Sequence, residues 1–439
     1  MDPNPIYQAV EHFKAGRLEP AAELCRAILQ RVPDDAATNH LLGVIYFRQG
    51  RTAAARDLLA FASRSPGATA EMHNNYGAVL NALGDSEGAI VAFKRALALQ
   101  QGYADAHNNL GVIYRAQGQS GEAIANLRRA VALNPGLAEA RTNLRTAYRD
   151  VIPGWHFAMV GDAKRNDAFE AAIASTVRGR KVLDIGTGAG LLAMMAARAG
   201  AKSVTTCESV SLIAERAREI VALNGLADRI VVVDKRSTDL AVGAGIAERA
   251  EVLITEVFSS DLLHEGVLPT VEHAHQHLLA PGAIVIPAAA SAMGYLIGGP
   301  VIASMLFTGR TNGFDLSPFN DFAPPNLAVS LDALPHEILS DDFELLRFDL
   351  KSKVFPMGSR PLTITARRPG VCAAVAQWIR LDLDEKTRYE NRPPSDPGSS
   401  AHWEQILYRF PRLVPVKAGE MIRLSVRHDR KQISVDLVE

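Results

Sequence analysis

The chain has 439 residues, 48% of them hydrophobic and 22% charged, enough for two or three domains with their own cores and too long for a single domain to be expected. A formal net charge of -1 gives no whole-chain field toward nucleic acid or an anionic membrane, so neither is expected as a partner. Three widely spaced cysteines, Cys25, Cys207 and Cys372, exclude a disulfide scaffold and suit a reducing cytoplasm, and the opening MDPNPIYQAVEHF has no basic-then-apolar signal.

The first third is periodic. HLLGVIY, NNYGAVL and NNLGVIY set Gly43, Gly77 and Gly111 at a period of 34; Gly50, Gly84 and Gly118 follow seven residues later, and Ala55, Ala89 and Ala123 keep step. Such a period is one helix–turn–helix unit whose small residues admit a close approach of two helices, and the spacing resembles the tetratricopeptide repeat. A first repeat in this register begins near Asp2 with Gly16, Ala21 and Pro33, the fourth ends near Pro135, and residues 138–150 add a covering helix. A stack of this kind docks partner proteins and holds no chemistry of its own. Asn75, Asn109 and Asn143 share a repeat position that Leu41 interrupts. The ladder either binds the backbone of an extended peptide or helps the repeats pack.

Beyond Asp150 the helical period gives way to KVLDIG, SVTTCE, RIVVVD and EVLITE, short β-branched runs separated by Ala-rich helical segments, the pattern of a parallel doubly wound sheet. The first run enters LDIGTGAGLLAMMAARAGA, residues 183–201, where Gly186, Gly188 and Gly190 permit a tight turn before a helix whose free N–H groups can face an anion. A dinucleotide loop would want glycine at 191, where Leu191 stands. With Asp184 before the loop and Glu208 ending the second run, where a carboxylate can hold a ribose diol, the arrangement resembles the S-adenosylmethionine loop of class I methyltransferases, a nicotinamide enzyme being the alternative.

Three further stretches specify the branch. WHFAMVGDAKRNDAF (155–169), TEVFSSDLLHEG (255–266) and AHWEQILYRF (401–410) resemble, in family order, the cofactor-covering helix, the double-glutamate loop and the His-Trp loop of the protein arginine methyltransferases. LPTVEHAHQHLL is similar to the branch whose animal members carry two catalytic units in tandem. The resemblance spans about residues 150–439 and implies an enzyme methylating arginine in protein substrates from S-adenosyl-L-methionine. It assigns the grip on the substrate guanidinium to Glu256 and Glu265, since two carboxylates can hold the planar fork of an always-charged arginine by charge-assisted bonds. Arg165 would pair with the methionine carboxylate, Asp184, Gly186 and Gly188 would hold the amino acid end, and Glu208 would take the ribose. Adenine contacts would come from Ser237 and Thr238; the family often has an acid at the latter position, and here Asp239 is next door. Met159 would line the arginine tunnel, and His402 and Trp403 would close the substrate side, His402 offering a proton route.

The expected architecture is an α-helical repeat solenoid over 1–150, an α/β Rossmann-like cofactor domain over 151–287, and a C-terminal β-barrel over 288–439. The uncharged run 281–309 is long enough to span a bilayer, yet Pro287, Gly294 and Pro300 interrupt it and its Val/Ile clusters look like consecutive strands. TGRTNGFDLSPFNDFAPPN resembles the family's dimerisation arm, so a homodimer is expected through residues 300–330, with Phe307, Phe314, Phe319 and Phe322 as anchors. His273, His275 and His277 cluster, but only the outer two share a helix face, and no metal is expected. Two other functions fit part of the pattern: a small-molecule methyltransferase with a repeat assembly module, which has no need of Glu265, and a repeat scaffold with an inactive methyltransferase domain.

Overall fold

The structure is a computed structural model that describes residues 5–152, 154–393 and 403–438. The chain divides into two compact units, Met1–Pro153 and Gly154–Glu439.

The first unit is helical. Its elements are α1 (Pro5–Lys14), α2 (Leu18–Arg31), α3 (Ala36–Arg48), α4 (Thr52–Arg64), α5 (Ala70–Ala82), α6 (Ser86–Leu99), α7 (Ala104–Ala116), α8 (Ser120–Leu133) and α9 (Ala138–Val151). A β-carbon at Gly43, Gly77 or Gly111 would fall 2.6 Å from Leu59 Cγ, 2.8 Å from Phe93 Cε1 or 2.5 Å from Leu127 Cγ. The second helix of each pair therefore sits where any side chain would stand, which explains the 34-residue glycine period. The asparagine ladder points along the stack. Asn109 Nδ2 donates to Asn74 Oδ1 at 3.0 Å, Asn143 Nδ2 donates to Asn108 Oδ1 at 2.9 Å, and Asn75 Nδ2 lies 2.9 Å from His40 Nε2. These amides stitch each repeat to the one before it, which favours the packing reading of the ladder.

The second unit opens with α10 (Trp155–Gly161) and α11 (Ala163–Thr176), then alternates β1 (Lys181–Ile185), α12 (Leu191–Arg198), β2 (Ser203–Glu208), α13 (Ser211–Leu223), β3 (Ile230–Asp234), β4 (Ala250–Thr255), α14 (Val267–His273) and β5 (Leu279–Ile286). The five strands form one parallel sheet in the order β3-β2-β1-β4-β5. Parallel strands covered on both faces read as continuous apolar runs, and Val252, Leu253 and Ile254 are fully buried. The order reverses between β1 and β4, so their carboxyl ends flank the crevice where such sheets take ligands.

The chain continues as β6 (Ala289–Gly298), α15 (Pro300–Leu306), β7 (Asn326–Val329), β8 (Glu337–Ile338), β9 (Phe343–Asp349), β10 (Gly358–Thr365), β11 (Gly370–Asp382), β12 (Arg388–Glu390), β13 (Gln405–Val416), β14 (Met421–His428) and β15 (Ile433–Val438). A seven-stranded antiparallel sheet runs β7-β13-β11-β6-β8, with β9 on β6 and β12 on β11, and β10-β14-β15 form a second sheet. Both contribute to the core that the parallel sheet uses.

The run 281–309 holds two consecutive strands, most of β5 and the wholly buried β6, followed by the helix α15. No helix among the described residues is long and apolar enough to cross a membrane. Of the four arm phenylalanines, Phe314, Phe319 and Phe322 are 72%, 67% and 79% exposed, whereas Phe307 packs on the second core with the Arg409 guanidinium 4.2 Å from its ring. The histidine cluster lies where α14 passes into a π turn, Ala274–Leu278: the His273 and His277 rings are 4.7 Å apart, and His275 Nε2 lies 2.9 Å from the Leu350 carbonyl. Among the described residues no group of three or more His, Cys, Asp or Glu is placed to hold a metal ion.

Candidate active site

The site begins at a helix cap. Asp162 Oδ1 accepts the Arg165 N–H at 2.9 Å, closing the first turn of α11, while its other oxygen accepts the Tyr389 hydroxyl of β12 at 2.7 Å. The antiparallel sheet thereby fixes the start of α11. Arg165 is carried into the interior, where its Nη2 lies 3.1 Å from Glu256 Oε2, the two side chains being 3% and 6% exposed. Its Nη1 donates to Asn166 Oδ1 at 2.8 Å and its Nε has no partner.

The loop after β1 turns through Gly186, Gly188 and Gly190, at φ 94°, 49° and 81°. A β-carbon on Gly186 would come within 3.0 Å of Val257 Cγ1, so glycine is required both by the left-handed backbone and by the close passage of the loop after β4. Asp184 is fully buried beneath the loop. Its Oδ2 accepts the Thr206 hydroxyl at 2.7 Å, its Oδ1 has no partner, and burial pushes its carboxyl up to about 7. Glu208, at the end of β2, accepts the Gly188 N–H at 3.1 Å on one oxygen and the Val210 N–H at 3.0 Å on the other. Both oxygens retain a lone pair for hydroxyls, and the carboxylate is held in one orientation. After β3, Ser237 is buried and Thr238 exposed in a single helical turn. Met159 of α10 lies over the loop, its methyl 3.8 Å from where a β-carbon on Gly188 would stand.

The loop after β4 is held from the antiparallel side. Trp403 Nε1 donates to the Phe258 carbonyl at 2.9 Å, Gln377 Nε2 donates to the Ser260 carbonyl at 3.0 Å, and the Tyr408 hydroxyl donates to Gln377 Oε1 at 2.7 Å. These bonds stabilise a loop that turns through buried Leu262 at φ 76°, a conformation costly for a branched side chain. Glu265 lines a recess of about 320 Å³ with Trp155, Asp261, His264, Asn326 and Trp403. Part of the residue reaches solvent, yet the walls of the recess strip water from its carboxyl and the Glu256 charge adds to the effect, pushing it up to about 7.

The structure thus brings Arg165, Asp184, Gly186, Gly188, Glu208, Glu256 and Met159 to one crevice, with Glu265 and Trp403 on the adjoining recess. His402 lies outside the described residues. Sequence reading missed Asp162, Thr206, Gln377, Tyr389 and Tyr408, which position the others. A cap signature preceded Arg165; nothing local marked Gln377 or Tyr389.

An arginine N(omega)-methyltransferase of Streptomyces achromogenes subsp. streptozoticus is 41% identical over 275 residues, 62% of this chain and 75% of that protein. The chain belongs to the arginine methyltransferase family. A model of the arginine methyltransferase oligomerization subdomain matches residues 304–437, one of the ribosomal protein L11 methyltransferase matches 168–285, and tetratricopeptide-repeat models match 12–73 and 68–135. Protein arginine N-methyltransferase 7 of Drosophila yakuba is 30% identical over 327 residues, 64% of this chain and 47% of that protein. The chain therefore spans about half the length of such relatives. Among solved structures, the Trypanosoma brucei PRMT1 enzyme-prozyme heterotetrameric complex with AdoHcy shares the fold at a TM-score of 0.56 and 23% identity, covering 64% of this chain and 89% of that one. Arabidopsis thaliana protein arginine methyltransferase 10 does so at 0.54 and 20%, covering 64% and 90%.

Enzymes of this arginine methyltransferase family draw methyl from S-adenosyl-L-methionine, and the crevice fits that donor. The unpartnered Asp184 Oδ1 suits its ammonium, the unpartnered Arg165 Nε suits its carboxylate, and Glu208 is fixed where a ribose diol would lie. Burial pushes the thiols of Cys25, Cys207 and Cys372 well above their usual range, so none is poised as a nucleophile.

Proposed function

We propose that the chain methylates a guanidinium nitrogen of arginine in protein substrates, with Glu256 and Glu265 as the clamp and Arg165, Asp184, Gly186, Gly188, Glu208, Ser237 and Thr238 as the cofactor set. The observation that carries this reading is the position of the two glutamates. Glu256 follows β4 at the crevice, and Glu265 faces the recess close enough for the charge of Glu256 to raise its pKa. A guanidinium between them can offer one in-plane N–H edge to each carboxylate. S-adenosyl-L-methionine supplies the methyl group as its C–S bond breaks. The clamp aims one terminal nitrogen along the line of attack, and orientation of this kind can contribute about 7–11 kcal/mol. The nitrogen gives up one proton as the N–C bond forms. Glu265, tuned near neutrality, accepts it within the recess. Trp403 walls the substrate side, Met159 lies over the cofactor loop, and His402 is assigned the onward proton route.

The enzyme is proposed to act in the cytoplasm, as its three free cysteines suggest, and as a homodimer through the arm bearing Phe314, Phe319 and Phe322. The repeats are proposed to dock a partner protein. A second reading, methylation of free arginine, is favoured by the name of the Streptomyces relative, which specifies arginine alone. One assay separates the two: labelled S-adenosyl-L-methionine with arginine-rich peptides in one arm and free L-arginine in the other, followed by mass spectrometry. Label on peptide arginine that disappears in Glu265→Gln is expected. Label confined to the free amino acid refutes protein methylation, and no label in either arm refutes arginine methylation altogether.

A further inference from the structure

Repeats of one solenoid serve as controls for one another, because positions that only pack should read alike from copy to copy. Along the groove between α4 and α5 they do not. Arg56 stands where the next two repeats have Ile90 and Ile124, and Ala60 where they have Lys94 and Arg128. Phe61 replaces Arg95 and Arg129, Arg64 replaces Ala98 and Ala132, and Tyr76 replaces Leu42, Leu110 and Leu144. All five departures line one cavity of about 530 Å³.

The exchange has a consistent chemical sense. Alanine at 60 removes the long cationic side chain that would cross the groove and leaves an apolar floor. Phe61, 39% exposed, and half-buried Tyr76 stand beside it as aromatic walls. The cations have moved outward. Arg56 pairs with Asp57 at 2.8 Å, while the exposed Arg64 side chain makes no hydrogen bond or ion pair with a described residue. A phenylalanine in place of arginine that joins neither of the neighbouring repeat cores leaves apolar surface open, and a guanidinium beside it without a described partner can receive a carboxylate.

We infer that this groove binds an acidic segment of a partner protein, taking one aromatic or branched apolar side chain over Ala60 between Phe61 and Tyr76, with flanking carboxylates on Arg64 and Arg56. The site is separate from the proposed methylation chemistry. Two cations against the single anion Asp57 leave one net positive charge, which suits a short acidic peptide. A nucleic acid fits worse, since Asp57 at the rim would repel a run of phosphates while still accepting a peptide N–H.

The test uses the full chain and an array of labelled nonapeptides, each with several glutamates around one phenylalanine or leucine, read by fluorescence anisotropy. Control arms carry lysine for glutamate, alanine for the apolar residue, and a single-stranded RNA oligonucleotide. Saturable binding is expected for acidic peptides that contain the apolar residue, weakened about tenfold or more by Arg64→Ala and by the double variant Ala60→Lys with Phe61→Arg. That double variant installs the residues of the neighbouring repeats, so it should fold; an unchanged helical circular-dichroism melt, and methylation of a short arginine peptide within about twofold of the parent, establish this. The inference is overturned if no acidic peptide binds, if the lysine or alanine controls bind equally well, if the repeat-restoring variant keeps full affinity, or if RNA is preferred.

Discussion

Glu256 and Glu265 should respond differently to the same isosteric change, although both are assigned to one proposed clamp. Glu256 is 6% exposed and faces the buried guanidinium of Arg165 at 3.1 Å, so Glu256→Gln removes the counter-charge of an arginine with little solvent to turn to. Breaking a buried pair of this kind costs about 3–5 kcal/mol. The amide keeps one acceptor oxygen for Arg165, which brings the loss to about 2–3 kcal/mol and the melting temperature down by about 5 °C. Glu265 has no ion pair or hydrogen bond to a described residue, and its carboxyl is already raised to about 7 by the recess and by Glu256. Glu265→Gln removes a strained charge, so stability should hold or rise. Its cost appears only with substrate: a charged hydrogen bond lost at a desolvated site, about 2–4 kcal/mol, lowers kcat/KM for an arginine peptide by roughly thirty- to a thousandfold. In the proposed cofactor set the methionine carboxylate gives Arg165 a partner, so S-adenosylhomocysteine should raise the melting temperature more in Glu256→Gln than in the parent. Scanning calorimetry with and without S-adenosylhomocysteine, together with steady-state kinetics, measures all of this. Equal melting losses in both variants, or an unshifted Glu256→Gln, would refute the division of labour.

Glu208→Ala should weaken cofactor binding ten- to a hundredfold by calorimetry, about 1.5–3 kcal/mol, since it removes a carboxylate oriented by the Gly188 and Val210 N–H groups. If Glu265 grips the guanidinium as proposed it must be ionised to do so, and kcat/KM should rise with pH through an apparent pKa of about 7, a rise absent from the residual activity of Glu265→Gln. Stability carries the opposite sign: Asp184 and Glu265 are raised above their unfolded values, so their contribution is full below about pH 4 and is lost as pH climbs through about 7. Light scattering on the full chain should report a dimer that Phe319→Glu with Phe322→Glu converts to monomer; a dimer that survives both charges would place the interface elsewhere.

What was legible in the sequence is what local geometry dictates. The glycine period followed from helices packing where a β-carbon would stand, and Gly186 and Gly188 announced a backbone turn that other residues resist. The glutamates stood out because TEVFSSDLLHEG resembles the double-glutamate loop of the arginine methyltransferases, and it is that resemblance which assigns them the grip. What was hidden is long-range. Tyr389 meets Asp162 across 227 residues and Trp403 meets Phe258 across 145, and no local pattern specifies either partner. Pairing of Arg165 with Glu256 was hidden for the same reason, so the two glutamates looked equivalent. The Val/Ile clusters before Pro300 looked like consecutive strands and lie in β5 and β6; after them Pro300 at the first helical position, preset in φ, starts α15 although Val301 and Ile302 are β-branched. Phe307 looked like its arm neighbours, but the chain is still packed on the second core at that point.

Charge accounting ties these features to the chemistry. A substrate guanidinium and a sulfonium brought within reaction distance repel each other, and a low-dielectric site amplifies that repulsion. Were Glu256 and Glu265 both free anions, they would neutralise the two cations in full before any methyl moves, and that ground-state attraction slows transfer. The ion pair with Arg165 offsets part of the Glu256 charge, so the role proposed for Glu256 is orientation. On the proposed mechanism Glu265 then carries the adjustable charge: ionised when a guanidinium arrives, and able to take a proton when the nitrogen loses one. That split requires α11 and the loop after β4 to keep a fixed distance. Asp162–Tyr389 on one side and the Phe258–Trp403 and Ser260–Gln377 bonds on the other anchor both to the antiparallel sheet. The strands around the recess therefore set the electrostatics of the clamp as well as walling its entrance, and a change at Tyr389 or Gln377 should reach the reaction through the Arg165–Glu256 distance without touching substrate.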